Sequence, residues 1–132
     1  MATTRGIAGW HEIMETGDSS LLDDLLADDV VFHSPVVHSP QEGKAITKLY
    51  LSAASNVLGG DDFEYVREVD GGLNVVLEFR NVIEGITING VDIIRFNDEG
   101  QIVDFKVMVR PLKAINKIHQ KMAEMLQQLA PK

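Results

Sequence analysis

Apolar residues recur along this chain at two different periods, and the change of period divides it into helices and strands. Ile7, Trp10, Ile13 and Met14 fall at helical spacing, which predicts a helix over about residues 4–16. Gly17 offers its C-terminal stop, and Asp18 a cap for whatever follows. In "SSLLDDLLAD" Leu21, Leu22, Leu25 and Leu26 share one face and Asp23 and Asp24 the other, predicting a second helix over 19–28. Gly43 precedes "KAITKLYLSAASNVLGG", where Ile46, Leu49, Tyr50, Ala53, Ala54 and Val57 mark a third helix stopped by Gly59-Gly60. A last helix begins at Pro111, a residue suited to a first turn, and carries Leu112, Ile115, Ile118, Met122, Met125, Leu126 and Leu129 as its stripe.

Period-two or β-rich segments lie between. "DDVVFHSP" predicts a short strand ended by Pro35. "DFEYVREV" and "LNVVLEFRNVI" flank Gly71-Gly72, "ITINGVDIIRFN" follows Glu84-Gly85, and "QIVDFKVMVR" follows the turn signal "NDEG". Three helices with one early strand, then a run of antiparallel strands, then a helix argue an α+β fold with helices over one face of a curved sheet. There is no internal repeat and no low-complexity tract, so a single domain over 1–132 is expected.

Composition narrows the function classes. With 45% hydrophobic and 24% charged residues the chain supports a core. Twenty acidic against 12 basic residues give a net charge of −8, which repels a phosphate backbone or an anionic membrane surface. No nucleic-acid and no membrane partner is therefore expected. The N-terminal segment lacks the apolar core of a signal peptide, and cysteine is absent, so a cytoplasmic location is the expectation.

Candidate chemistry concentrates in two places. In "VVFHSPVVHSPQEG", residues 30–43, alternation groups Val30, Phe32 and Ser34 on one face and leaves Val31 and His33 on the other. His38 follows in a loop, where it fits either a plain loop residue or an acid–base group at a cavity entrance, since histidine changes charge near neutral pH. Both rings on one metal would still lack the third protein ligand a catalytic zinc requires, so no metal and no cofactor is expected. The second place is "GVDIIRF". Asp92 shares a strand face with Gly90, Ile94 and Phe96, and a two-residue turn at Glu84-Gly85 sets Leu77 opposite Asp92 and Phe79 opposite Gly90. A carboxyl in such company is desolvated, with its pKa raised. It suits a hydrogen-bonding acid in a pocket, and equally a structural polar group bonded to a neighbour. Arg95 falls on the other face, and Glu78 and Arg80 alternate outwards from Leu77 and Phe79.

The order of elements, with "LLADDVVFHSP" after two helices and "VDIIRFNDEGQI" late in the chain, resembles the nuclear transport factor 2-like superfamily. That group includes ketosteroid isomerases, scytalone dehydratase, limonene epoxide hydrolase and SnoaL-like polyketide cyclases. The resemblance implies a cone-shaped, cystatin-like fold. A curved, mostly antiparallel sheet wraps an apolar pocket closed by the N-terminal helices, with a C-terminal helix added. It also implies a homodimer and a small hydrophobic ligand. Carried over position by position, it puts Asp92 at the family's protonated aspartate, Trp10 at the tyrosine of the first helix, and Ser34 where the catalytic base stands. A serine with no base beside it cannot abstract a proton from carbon. The catalytic candidates are thus Asp92, Ser34 and His38. Trp10, Tyr50, Phe79, Phe105 and Val109 are the pocket-lining candidates, each of which fits plain core packing as well. Three functions fit this inventory: an isomerase or cyclase working by proton transfer, a non-catalytic ligand-binding module, and a dimerisation domain whose pocket is filled.

Overall fold

The computed structural model describes residues 5–129. Helix α1 spans Gly6–Thr16, and Gly17 closes it in the left-handed conformation (φ 71°), its N–H bonded to the Ile13 carbonyl. The predicted start at Thr4 lies outside the described residues, as does the side chain of Leu129. Asp18 caps the next segment by accepting from the Ser20 N–H at 3.1 Å. That segment is shorter than the leucine pattern suggests. A 3₁₀ turn (Ser19–Leu21) runs into a single α-turn, α2 (Leu22–Leu25), and Leu26 is already extended (φ −85°, ψ 132°) as the first residue of strand β1 (Leu26–His33). Leu26 leaves the helix because it pairs with Ile102 of a later strand, so sheet pairing overrides helical spacing.

A two-residue strand, β2 (Gln41–Glu42), which the sequence does not announce, pairs with Val31 and Phe32. Then come α3 (Lys44–Leu58), β3 (Glu64–Asp70), β4 (Asn74–Ile83), β5 (Ile86–Phe96), β6 (Ile102–Arg110) and α4 (Leu112–Leu129). The six strands form one sheet in the order β2-β1-β6-β5-β4-β3, antiparallel except where β1 runs parallel to β6. The β4–β5 hairpin turns on Glu84 (φ 51°) and Gly85 (φ 81°), and its register places Leu77 opposite Asp92 and Phe79 opposite Gly90, as the two-residue turn requires. Glu84 also reaches Lys117 at 3.4 Å and Lys121 at 3.0 Å, which ties the hairpin tip to α4.

Register shifts bend the sheet into a cone. One falls between Leu26 and Val31 on β1, another between Arg95 and Phe96, and a third at Val66, an extra residue on β3 between the Tyr65–Phe79 and Arg67–Glu78 pairs. The inward faces of the strands meet α1, α2 and α3 in one apolar cluster that includes Trp10, Leu25, Phe32, Leu77, Ile94 and Phe105. A second cluster of Phe79, Ile88, Ala114 and Ile118 packs α4 against the β4–β5 hairpin. Gly90 belongs to the architecture of this region. A Cβ there would overlap the ring of Phe79, which lies across the strand where the side chain would be.

Candidate active site

Between the two clusters the cone is open. A cavity of about 210 Å³ is walled by β1, β4, β5 and β6 on one side and by α1, α3 and α4 on the other. Its surface is largely aromatic and aliphatic. Trp10 and Phe105 meet edge to face at 4.8 Å, Phe32 and Tyr50 lie 5.6 Å apart, and Phe63 stacks on Phe79 at 5.3 Å. These contacts fix the ring planes, so the walls are preformed rather than collapsed. All five pocket-lining candidates, Trp10, Tyr50, Phe79, Phe105 and Val109, face the cavity.

Asp92 is the acidic group in this wall, 6% exposed. It stands there because alternation along β5 turns Gly90, Asp92, Ile94 and Phe96 inward together. Burial pushes its carboxyl up to about 7, against the Tyr65 hydrogen bond, which acts the other way. That bond is long: the Tyr65 hydroxyl donates to Asp92 Oδ2 at 3.4 Å, well beyond the usual 2.7–2.8 Å of O–H···O contacts. Tyr65 in turn accepts from Trp10 Nε1 at 2.9 Å. Burial first, and then the negative charge of Asp92, raise the Tyr65 phenol above its ordinary value, so it stays a donor. The result is a chain, Trp10 to Tyr65 to Asp92, that points a loosely held carboxyl into an apolar space. Protonated, that carboxyl can donate to a ligand oxygen; ionised, it can take a proton.

Tyr65 is the residue that sequence reasoning passes over. The extra residue at Val66 interrupts strict alternation in β3, and the phenol turns inward only because it pairs with Phe79 just before that break. Trp10, at the tyrosine position of the resemblance, does not face the ligand space with its N–H free; the indole donor is spent on Tyr65.

The other candidates divide. Ser34 lines the cavity, as alternation with Phe32 requires, but its Oγ accepts from the backbone N–H groups of Val36 at 3.0 Å and Val37 at 3.4 Å. It shapes the loop at the cavity mouth and is no base. His33 points away and pairs with Asp104 at 2.9 Å on the outer side of the sheet. His38 is exposed next to Val37 and is not part of the cavity wall. A histidine does line the cavity: His119 of α4, in a row with Met122, Ala123 and Leu126 at the spacing i, i+3, i+4, i+7. That spacing was legible in the sequence, although the leucine and isoleucine stripe beside it is the stronger signal. Among the described residues no group of three acidic or histidine side chains is arranged to hold a metal ion, and no helix is long and apolar enough to cross a membrane.

Comparison with known proteins agrees with this fold. A steroid delta-isomerase from Pseudomonas aeruginosa is 37% identical, with 92% of this chain and 89% of that one aligned and a TM-score of 0.86. An uncharacterised protein with a cystatin-like fold from Silicibacter pomeroyi is 31% identical over 94% and 86% of the two chains, with a TM-score of 0.85. A protein with a ketosteroid isomerase-like fold from Catenulispora acidiphila, in complex with trimethylamine, is 12% identical over 83% and 87%, with a TM-score of 0.61, and is alike in fold alone. The curated proteins give no match. The SnoaL-like domain matches over residues 7–105, which runs from the first turn of α1 to the Phe105 wall of the cavity. On that match and these likenesses, the chain belongs to the SnoaL-like family, within the nuclear transport factor 2-like superfamily.

Proposed function

We propose that the cone binds a small, largely apolar carbonyl compound, with Asp92 in its neutral form donating a hydrogen bond to the carbonyl oxygen. The observation that carries this reading is a buried carboxyl, its pKa raised to about 7, on the wall of an otherwise aromatic and aliphatic cavity. An engineered cavity of about 150 Å³ takes up a benzene, so about 210 Å³ is matched by a one- or two-ring molecule. Trp10 is the single tryptophan and lines the cavity, so its fluorescence reports occupancy directly. Titration with 1-tetralone is expected to quench it in the wild type. Asp92→Leu, which keeps the apolar surface and removes the donor, should weaken binding by about fivefold to tenfold, the worth of one hydrogen bond. Equal affinities would refute the carbonyl anchor.

A second reading, turnover by proton transfer of isomerase or cyclase type, is favoured by the 37% identity with a steroid delta-isomerase across most of both chains. A neutral Asp92 on the carbonyl oxygen draws electron density from the adjacent carbon and acidifies its C–H; that proton passes to solvent as the C–H electron pair forms the enol, and reprotonation of the carbon from solvent restores the ketone. Ser34, at the position of the family's base, has no group strong enough to accept that proton. Deuterium incorporation next to the carbonyl of 1-tetralone, followed by proton NMR, separates the readings. Exchange faster than in buffer and lost in Asp92→Asn supports turnover, and exchange at the buffer rate alongside tight binding supports a binding module.

For the quaternary state we propose a homodimer through the outer face of the sheet, where Val69 and Met108 are about half exposed beside Val91.

A further inference from the structure

We infer that the ligand carries a second oxygen function at the end remote from its carbonyl, and that His119 reads it at the cavity mouth. The inference rests on the carbonyl reading above and deepens it from a single anchor to two.

The polar groups of the cavity are unevenly placed. Asp92 is buried in the β5 wall, whereas His119 is exposed on α4, and both line the same space. Exposure identifies the mouth: Val37 (44% exposed) on the β1–β2 loop and His119 and Ala123 on α4 are the most exposed of the lining residues. Within α4 the row His119, Met122, Ala123, Leu126 faces the cavity, and His119 is its polar member. A position on a cavity-facing helical stripe is ordinarily apolar. Ala123, one turn further on, is small and leaves the imidazole room to turn.

The imidazole is also uncommitted. The other described histidines of the sheet and α1 are tied to carboxylates, His33 to Asp104 at 2.9 Å and His11 to Glu68 at 2.6 Å. His119 has no hydrogen bond or ion pair among the described residues. Imidazole carries a donor and an acceptor on opposite edges, so it can bond a hydroxyl in either sense. A rigid ring system with its carbonyl on Asp92 deep in the cone therefore presents its far end to His119, and an oxygen there meets a partner in place of water. A purely hydrocarbon far end would leave the imidazole solvated and gain nothing from it.

Two probes of the same skeleton test this, with Trp10 fluorescence as the readout: 1-tetralone, with one oxygen, and 6-hydroxy-1-tetralone, whose hydroxyl lies across the ring from the carbonyl. The wild type is expected to bind the hydroxylated ketone about fivefold tighter, the worth of one partly solvated hydrogen bond. In His119→Ala the two ketones should bind with equal affinity, and His119→Gln, which keeps a donor and an acceptor, should recover part of the difference. A hydroxyl preference that persists in His119→Ala, or is absent from the wild type while 1-tetralone binds, overturns the role of His119 and leaves the carbonyl anchor standing. Failure of both ketones to bind the wild type overturns the carbonyl reading, and this inference with it.

Discussion

Replacing Asp92 by asparagine removes a group that ionises at a cost and puts an isosteric amide, which cannot ionise, in its place. The folded carboxyl titrates at about 7 and an ordinary aspartate at 3.8, because burial disfavours the charged form. Between those values the unfolded chain gives up its proton while the folded chain keeps it, so the folded state binds more protons and its stability falls as pH rises. The contribution is complete below about pH 4, where both states are protonated, and lost above about 7, where both are ionised. The gap of about three pH units, at about 1.4 kcal/mol each, puts the whole effect at about 4 kcal/mol, an upper value because water entering the open cavity relaxes the charge. The isoelectric point near 4.8 favours self-association at low pH, so the usable window is about 5.5–8.5, which holds about 2 kcal/mol of the change. Urea unfolding of wild type and Asp92→Asn across that window isolates the group, since every other titration is common to both. The stability of the variant minus that of wild type should climb by about 2 kcal/mol from about pH 5.5 to 8 and then level off. Parallel curves would show that the carboxyl is solvated and that its assigned environment is wrong.

Three further substitutions test the surrounding architecture. Gly90→Ala drives a methyl group into the Phe79 ring, and should cost about 1–3 kcal/mol in thermal unfolding while shrinking the cavity and weakening 1-tetralone binding. Thr47 is fully buried on α3, and its Oγ1 has no partner among the described residues, so Thr47→Val should leave stability unchanged or raise it by about 1 kcal/mol in urea unfolding. On the outer face of the sheet Met108→Glu should leave the monomer fold intact by circular dichroism and shift sedimentation from dimer to monomer; an unchanged dimer would place the interface elsewhere.

Much of the fold could be read from local pattern because the pattern and the packing agree. The Glu84-Gly85 turn fixed the β4–β5 register, and with it the burial of Asp92, through a rule that needs no tertiary information. Where pattern and packing compete, the sequence misleads. Leu26 has helical spacing but joins the sheet opposite Ile102, a partner far along the chain. The two-residue β2 exists only because β1 offers a free edge. Tyr65, the donor to Asp92, sits one residue before a break that period-two counting cannot anticipate. The two histidines of the repeated His-Ser-Pro have no place in the cavity wall, whereas His119, embedded in a polar-looking stretch of helix, does. The distinction depends on which face of α4 meets the cone, and long-range packing decides that.

Asp92 as a neutral donor in a cavity that accepts a carbonyl ligand is the central claim, and carbon-13 NMR of its carboxyl across pH tests it most directly. A pKa of about 7 is expected in the free protein, rising further when 1-tetralone is bound, because the ligand oxygen holds the proton in place. A value near that of an ordinary aspartate, unmoved by the ketone, would contradict it.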